Sequence, residues 1–307
     1  MKTGFDYCQI GFMAEFNCDN GCAYCDPNGR RKKEQKSWIS DIGYTNWQKA
    51  FKKIEKPFYL LITGGEPLNN DKMSVLINYV AGLKNCLGIR VDTNGKFAGN
   101  LRKCASDKIN INLSYHSHKT TYKEFSEIVE TIQKRGYNVA MINFVLHDLN
   151  FNAIKEENFA KDCKNNEELF DVLSDKIYED YKIKINPQLN YNGYTEEHYK
   201  IAGKYMDDVD LYFKSGKPAK GKLFYGNMVN YSLNYDGMVS VLKSTGNTLT
   251  NFIKDGLPEL DSEPVIYPDN KSFCLHSYIY FEEVINKKKC TPDSLKGYIN
   301  RLKRPDR

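Results

Sequence analysis

Apolar positions along this chain follow two different periodicities before residue 215. Short apolar runs indicate buried strands, whereas segments with apolar residues at every third or fourth position indicate amphipathic helices. The predicted strands cover residues 7–14, 58–63, 88–93, 109–115, 138–146 and 181–185. The predicted helices cover residues 45–54, 72–83, 121–135, 153–176 and 196–206. Strands and helices that alternate in this way indicate an α/β fold with a parallel sheet.

The pattern changes after about residue 215. The sequence SGKP at residues 215–218 is typical of a linker. Residues 229–241 then form two short alternating runs around Asp236 and Gly237, which predicts a β-hairpin. Residues 249–254 have a helical pattern. We therefore expect one unit over residues 1–215 and a smaller α+β extension over residues 216–307.

Composition sets the general class of the protein. The chain has 307 residues, 41% of them hydrophobic, which is typical of a globular protein with a full core. The net charge of +5 is too small to favour a nucleic-acid partner. The sequence has neither an apolar signal region at its N-terminus nor a long apolar stretch, so we expect no membrane span. A cytoplasmic location is expected.

Three of the nine cysteines lie in one short loop after the first predicted strand. Cys18, Cys22 and Cys25 have the spacing C-x3-C-x2-C. Iron–sulfur clusters are usually held by four cysteine thiolates, so a loop with three would leave one iron open for chemistry. A structural zinc site needs four ligands, commonly two pairs, and only one C-x2-C pair is present. An odd cysteine count also excludes complete disulfide pairing within one chain.

The cysteine spacing, Tyr24 beside the last cysteine and the motif TGGEP at residues 63–67 together resemble the radical S-adenosylmethionine (radical SAM) superfamily. The resemblance implies a partial (β/α)6 TIM-like barrel with a [4Fe-4S] cluster held by Cys18, Cys22 and Cys25. It implies that the open iron binds SAM, which an electron cleaves to methionine and a 5′-deoxyadenosyl radical. That radical takes a hydrogen atom from the substrate. A flavodoxin or ferredoxin would supply the electron.

The second motif is expected to bind the methionine end of SAM. Gly64 and Gly65 would offer backbone groups, and the Glu66 carboxylate would meet the SAM ammonium. Taken alone, a Gly-Gly-Glu-Pro sequence is more often an ordinary turn. Both motifs follow predicted strands, and reactive residues of parallel α/β barrels lie at those carboxyl ends.

Three further residues are expected to contact SAM because the resemblance places such residues there. Tyr24 would pack near the adenine, and its alternative role is to cover the core. Asn94 and Ser114, at the ends of the third and fourth strands, would lie near the ribose or carboxylate. The alternative for Asn94 is turn formation, since Asn-Gly is a common turn sequence.

Two histidines and one more cysteine are weaker candidates. His116 is a candidate catalytic residue, because a histidine at a strand end can line the substrate cavity or donate a proton near pH 7. His118 is a second candidate for this role. Cys8 is on the first strand and could face the barrel interior, although an inert buried thiol is the alternative.

The C-terminal region resembles the SPASM or Twitch extensions of radical SAM enzymes, which hold extra clusters. These extensions usually have a cysteine after the second hairpin strand, where this chain has Leu242 and Lys243. Only Cys274 and Cys290 remain in this region. We therefore expect a Twitch-like extension that holds no auxiliary cluster.

The substrate is not identified by any of these residues. A small metabolite such as a sugar, nucleoside or amino acid is one hypothesis, and a peptide or protein is another. A tRNA is a third hypothesis that the weak basic balance does not support. A non-catalytic iron–sulfur electron carrier or sensor is a hypothesis of a different class. The Gly-Gly-Glu motif speaks against it, because a carrier has no need to bind SAM.

Overall fold

Six parallel strands form the centre of the computed structural model, which describes residues 5–25, 36–189, 195–206, 208, 211–212, 219–243, 246–268 and 278–287. The strands are β1 (Cys8–Glu15), β2 (Phe58–Gly64), β3 (Cys86–Thr93), β4 (Ile109–Tyr115), β5 (Asn138–Val145) and β6 (Ile185–Gln188). They lie side by side in chain order, each parallel to the next. The predicted α/β class is confirmed, and the sheet is consistent with a partial barrel that does not close.

Five described helices lie in the connections between these strands, and a sixth follows β6. They are α1 (Tyr44–Lys52), α2 (Asp71–Ala81), α3 (Tyr122–Lys134), α4 (Asp148–Lys155), α5 (Asn166–Tyr181) and α6 (Glu196–Tyr205). Helix α3 begins with a capping box, in which Thr121 and Glu124 each bond the backbone N–H of the other. The predicted helices at residues 45–54, 72–83, 121–135 and 196–206 are confirmed within two residues.

Two sequence predictions near residue 180 are wrong. The single helix expected over residues 153–176 is two helices, because Asn165 accepts the N–H of Glu168 and starts α5 as a new helix. The strand expected at residues 181–185 begins only at Ile185, since the buried stripe of α5 continues the helix to Tyr181. Pro187 lies inside β6, an edge position of the sheet where a proline is tolerated.

The two faces of the parallel strands have different surroundings. On β1, Cys8, Ile10 and Phe12 are fully buried in the main core, and Phe12 contacts Trp47 of α1 with ring centroids 4.7 Å apart. Because side chains alternate along a strand, the intervening positions face the inside of the barrel. Cys8 therefore lies on the helix side and not in the interior. The possibility that its thiol faces the substrate cavity is wrong, and the inert buried thiol is the better interpretation.

The predicted hairpin is confirmed and continues the main sheet. Strands β8 (Asn230–Asn234) and β9 (Met238–Lys243) pair antiparallel around a turn at Gly237, and β10 (Gly246–Asn251) pairs with β9. Strand β8 pairs parallel with β1, so the sheet order is β10-β9-β8-β1-β2-β3-β4-β5-β6. The helix expected at residues 249–254 is shorter, because β10 continues to Asn251, which caps α7 (Phe252–Asp255).

Three short elements cover the amino ends of the strands. They are β7 (Leu223–Phe224), β11 (Val265–Ile266) and α8 (Glu282–Lys287), with a 3₁₀ turn at Tyr278–Tyr280. Tyr280 donates to Oε1 of Gln9 at 3.0 Å, and the ring centroids of Tyr7 and Tyr59 lie 5.5 Å apart. This second cluster therefore fills the inner face of the sheet at the end opposite the predicted site.

Part of the C-terminal prediction lies outside the described residues, namely the linker at residues 215–218, Cys274 and Cys290. The division at residue 215 and the Twitch-like character without an auxiliary cluster therefore stay predictions. Within the described ranges, every helix is too short or too polar to cross a bilayer.

Candidate functional site

The cysteine loop, residues 16–25, begins directly after β1. Gly21 has φ +52°, a left-handed conformation that glycine adopts without strain, and the Cys25 N–H donates to the Cys22 carbonyl at 3.1 Å. The Cys22 side chain is buried, that of Cys18 is half-buried and that of Cys25 is exposed. The loop thus folds back on itself and brings the three predicted ligands into one region at the carboxyl end of β1.

The three thiols influence one another electrostatically. Burial raises the pKa of Cys22 to about 11, and the neighbouring Cys25 and Cys18 add to this shift. Burial also raises the pKa of Cys18, with Glu66 and Cys25 adding to the effect. Thiols that disfavour one another's ionisation suit a cationic group, because a bound metal deprotonates a coordinating thiol.

The three thiols of the cysteine loop are donors of the kind that hold iron–sulfur clusters. In the described ranges, no three His, Cys, Asp or Glu side chains are arranged to hold one metal ion. Cluster thiolates bind different irons and do not have to converge on one point.

The glycine turn, residues 63–67, lies against the start of the cysteine loop. The Gly65 N–H donates to the Glu15 carbonyl at 2.5 Å, and the Glu66 N–H donates to the Asn17 carbonyl at 2.7 Å. A Cβ atom at Gly64 or Gly65 would overlap the backbone of residues 15–17. Both glycines are therefore needed for close approach of the two motifs.

Glu66 is enclosed in the protein and holds the end of β3. Its Oε1 accepts the Leu68 N–H at 2.9 Å and the Thr93 hydroxyl at 2.5 Å, and its Oε2 accepts the Asn94 N–H at 2.7 Å. The residue has no exposed surface. Burial raises the pKa of Glu66 to about 7, although the hydrogen bonds from Thr93, Asn94 and Leu68 lower it.

Asn94 connects the glycine turn to the cysteine loop. Its Nδ2 lies 3.8 Å from Sγ of Cys18, within the range of a hydrogen bond to sulfur. Its Oδ1 accepts the Lys96 N–H at 2.9 Å, which closes a turn through Gly95 at φ +77°. The structure thus brings Asn94 and Cys18 together, with Asn94 able to donate to a cluster ligand.

Tyr24 is surrounded by histidines. Its hydroxyl lies 2.7 Å from Nδ1 of His116 and accepts the Asn150 Nδ2 at 3.1 Å. Its ring centroid lies 4.8 Å from that of His147 and 5.4 Å from that of His118. We call these five side chains the tyrosine–histidine cluster. It fixes the end of the cysteine loop against the carboxyl ends of β4 and β5.

Burial lowers the pKa of two of the histidines beside Tyr24, His116 and His118. Burial lowers the pKa of His116 to about 4, and the nearby His118 lowers it further. Burial also lowers the pKa of His118. The hydrogen bond between its Nδ1 and Oδ1 of Asn150, at 2.6 Å, acts in the opposite direction and raises it. At neutral pH, His116 is thus a hydrogen-bonding group and not a cation.

Ser114 lies on the inner face of β4, in register with Asn143 of β5. Its neighbours Leu113 and Tyr115 are fully buried on the helix side. His116 follows two residues later, so Ser114 lies on the same side of the strand.

Sequence reasoning missed several residues of this region. Glu15 is buried and accepts a hydrogen bond from the Ser37 hydroxyl. His147 and Asn150 complete the tyrosine–histidine cluster. Their only sequence signal is their place at a strand end: Glu15 is the last residue of β1, and His147 and Asn150 follow β5.

One curated relative shares recognisable sequence with this chain. It is a GTP 3',8-cyclase from Psychromonas ingrahamii (strain DSM 17664 / CCUG 51855 / 37), 26% identical over 176 residues. The match covers 50% of this chain and 50% of the relative, so the chain matches about half the length of that protein. No protein-family model matches the chain.

Two solved structures were found to be similar to this chain at low sequence identity. A structure of Streptococcus suis SuiB bound to S-adenosylmethionine has a TM-score of 0.51 at 15% identity, covering 81% of this chain and 64% of SuiB. Native anSMEcpe with bound AdoMet has a TM-score of 0.48 at 14% identity, covering 96% of this chain and 87% of that protein. The likeness to SuiB shows the fold of this chain.

Proposed function

We propose that this chain, a radical SAM enzyme, holds a [4Fe-4S] cluster in its cysteine loop and abstracts a hydrogen atom from a small metabolite. The observation behind the proposal is the pairing of the two motifs. The backbone of the glycine turn bonds the backbone at Glu15 and Asn17, immediately before Cys18. Two segments that are distant in sequence thus form one site at the carboxyl ends of β1 and β2.

The residues of this site have separate tasks in the proposal. Cys18, Cys22 and Cys25 hold the cluster as thiolates. When bound, the cluster supplies the electron that cleaves SAM and so starts hydrogen abstraction. Asn94 donates toward the Cys18 sulfur, and such donors tune the potential of a cluster. The electron comes from a flavodoxin- or ferredoxin-type donor.

The SAM site lies beside the glycine turn in this proposal. Gly64 and Gly65 let this turn lie directly against the start of the cysteine loop, because a Cβ atom at either position would overlap the backbone of residues 15–17. Direct contact between Glu66 and the SAM ammonium would require the bond from Thr93 or Asn94 to open, since the carboxylate is enclosed. We propose that Tyr24 and Ser114 border the other side of SAM and that His116 contacts the substrate.

A small metabolite is the preferred substrate class. The name of the curated relative, GTP 3',8-cyclase, indicates an enzyme that acts on a small molecule, GTP. The inner face of β4 to β6 presents the half-buried polar residues Ser114, Asn143, Asn186 and Gln188, which suit a small polar compound. A peptide or protein substrate is the alternative, and a non-catalytic electron carrier is the alternative of another class.

The test is reductive SAM cleavage by anaerobically reconstituted protein. With dithionite and SAM, the wild-type chain should release 5′-deoxyadenosine and show iron–sulfur absorbance. Cys22→Ala should lose both signals, whereas Cys163→Ala, which changes a half-buried cysteine outside the loop, should keep both. SAM left intact by a reduced cluster would favour the carrier. Unchanged colour in Cys22→Ala would contradict the ligand set.

A further inference from the structure

The inner face of the sheet contains a group of uncharged polar side chains, of which sequence analysis identified only Ser114, as a candidate SAM contact. They are Asn112 and Ser114 on β4, Asn143 on β5, and Asn186 and Gln188 on β6, which we call the amide face. Ser114 is in register with Asn143, and Asn143 is in register with Asn186. The group therefore forms a continuous surface across three neighbouring strands.

This surface continues toward the proposed cluster site. His116 follows Ser114 on the same side of β4, and its Nδ1 lies 2.7 Å from the Tyr24 hydroxyl. Tyr24 itself belongs to the cysteine loop. A compound bound on the amide face would thus lie between the strands and the loop that holds the cluster.

The hydrogen bonds within the amide face leave both donors and acceptors available. Asn143 Oδ1 accepts from Asn186 Nδ2 at 2.9 Å and from Gln188 Nε2 at 3.0 Å. This uses both lone pairs of that oxygen. Among the described residues, the groups that remain without a partner are the Asn143 amide nitrogen, the second N–H of Asn186 and of Gln188, the carbonyl oxygens of these two residues and the Ser114 hydroxyl. All four side chains are half-buried, so a ligand can reach them.

The amide face carries no charge of its own. The neighbouring strand β3 places Arg90 and Asp92 on the same side, where they form an ion pair at 3.0 Å. Asp92 is in register with Asn112. Because the two charges neutralise each other, they add no net field for an anionic ligand.

We infer that the substrate is a neutral compound rich in hydroxyl groups, bound by Asn143, Asn186 and Gln188. This inference rests on the proposed function. A hydroxyl group both donates and accepts, so it matches a surface with both kinds of partner. A phosphate or carboxylate only accepts, and it would face the carbonyl oxygens of Asn186 and Gln188 unfavourably. The described amide face therefore differs from what a nucleoside triphosphate requires.

The test measures binding of matched neutral and phosphorylated compounds to the reconstituted holoenzyme with SAM. The pairs are guanosine and GTP, ribose and ribose 5-phosphate, and glucose and glucose 6-phosphate. Binding of each compound is measured by equilibrium dialysis. At least one neutral compound should bind, about tenfold or more tighter than its phosphorylated partner. If no neutral compound binds, or if the phosphorylated partner binds as tightly, the inference is wrong.

Variants then assign the binding to the amide face. Asn143→Leu and Gln188→Met each remove one polar group at similar volume and should weaken binding of the neutral compound about tenfold. Gln133→Met makes the same change on the exposed face of α3 and should leave binding unaltered. Circular dichroism checks that each variant is folded, and unaltered binding in both folded amide-face variants overturns the inference.

The two proposals fail in different ways. Release of 5′-deoxyadenosine from SAM in the presence of dithionite, with none of the six test compounds added, tests the proposed function alone. If that release occurs and no neutral compound binds, the substrate inference fails and the proposed enzyme class does not.

Discussion

The hydroxyl of Thr93 donates to the carboxylate of Glu66 at 2.5 Å and so joins the end of β3 to the glycine turn. Glu66 also accepts the backbone N–H of Asn94, whose side chain extends to the sulfur of Cys18. One buried carboxylate is therefore linked through Asn94 to the cysteine loop. Its position explains why the second motif needs an acidic residue even before any ligand binds.

Gly65→Ala should prevent the cysteine loop from taking its place. The new Cβ would overlap the backbone of Phe16 and Asn17, which cannot move without shifting Cys18. We expect a loss of bound iron and a decrease in the free energy of unfolding of about 1–3 kcal/mol. Iron content per chain and thermal unfolding are the measurements.

The matched control for this change is Gly99→Ala. A Cβ at Gly99 meets no atom within 4 Å, so iron content should be that of the wild type. A Gly65→Ala protein with full iron content would show that the two motifs do not depend on this close approach.

Glu15→Gln should change how stability depends on pH. Burial raises the pKa of Glu15 from its usual 4.5 to about 7; the hydrogen bond from Ser37 lowers it and the charge of Glu66 raises it further. Since the folded pKa is the higher one, the stabilisation is complete below pH 4.5. It is lost as the pH rises toward 7.

The glutamine variant copies the protonated form, so it should be more stable than the wild type at pH 8, by on the order of 3 kcal/mol. The difference should vanish near pH 4.5. Chemical denaturation at both pH values measures it. The control Glu127→Gln changes an exposed carboxylate and should show a small effect at either pH. Equal stability of Glu15→Gln and wild type at pH 8 would exclude this role.

Asn94→Ala should make the reduction potential of the bound cluster more negative. The Asn94 amide donates toward Cys18, and loss of a donor to a ligand sulfur disfavours the additional electron. Asn94→Asp keeps the oxygen that accepts the Lys96 N–H but has no donor, so its potential should fall as well.

The reduction potential of the cluster in both Asn94 variants is measured by a redox titration that is monitored by electron paramagnetic resonance. Asn46→Ala, an exposed asparagine on α1, serves as the control with an unchanged potential. Potentials of the two Asn94 variants equal to that of the wild type would mean that this contact does not tune the cluster.

Tyr24→Phe should destabilise the fold without loss of iron. The variant keeps the ring but removes the acceptor for Asn150 and the partner of His116. Because Asn150 is fully buried, an unsatisfied amide there should cost about 1–3 kcal/mol. Thermal unfolding and iron analysis are the measurements, with the exposed Tyr178→Phe as control. A melting temperature equal to that of the wild type would contradict the proposed anchoring.

Local sequence patterns were sufficient for most of the regular structure. The strand at Ile109–Tyr115 was predicted to the residue, because its apolar positions alternate with polar ones. The hairpin around Gly237 was predicted from its turn sequence. The hydrophobic pattern predicted the wrong element bounds between residues 153 and 188. There Asn165 caps a new helix within one amphipathic stretch, and Pro187 lies inside an edge strand.

The amino-acid sequence by itself determined the chemistry that this protein offers, namely three closely spaced thiols and a glycine-rich acidic turn after a strand. These are local properties, since spacing and residue type are fixed by neighbours in the chain. Only the tertiary structure decided the partners: Glu66 with Thr93, Asn94 with Cys18, Tyr24 with His116, and the amide face across β4 to β6. Such contacts join residues far apart in the chain, and they exist only because the parallel sheet places its carboxyl ends side by side.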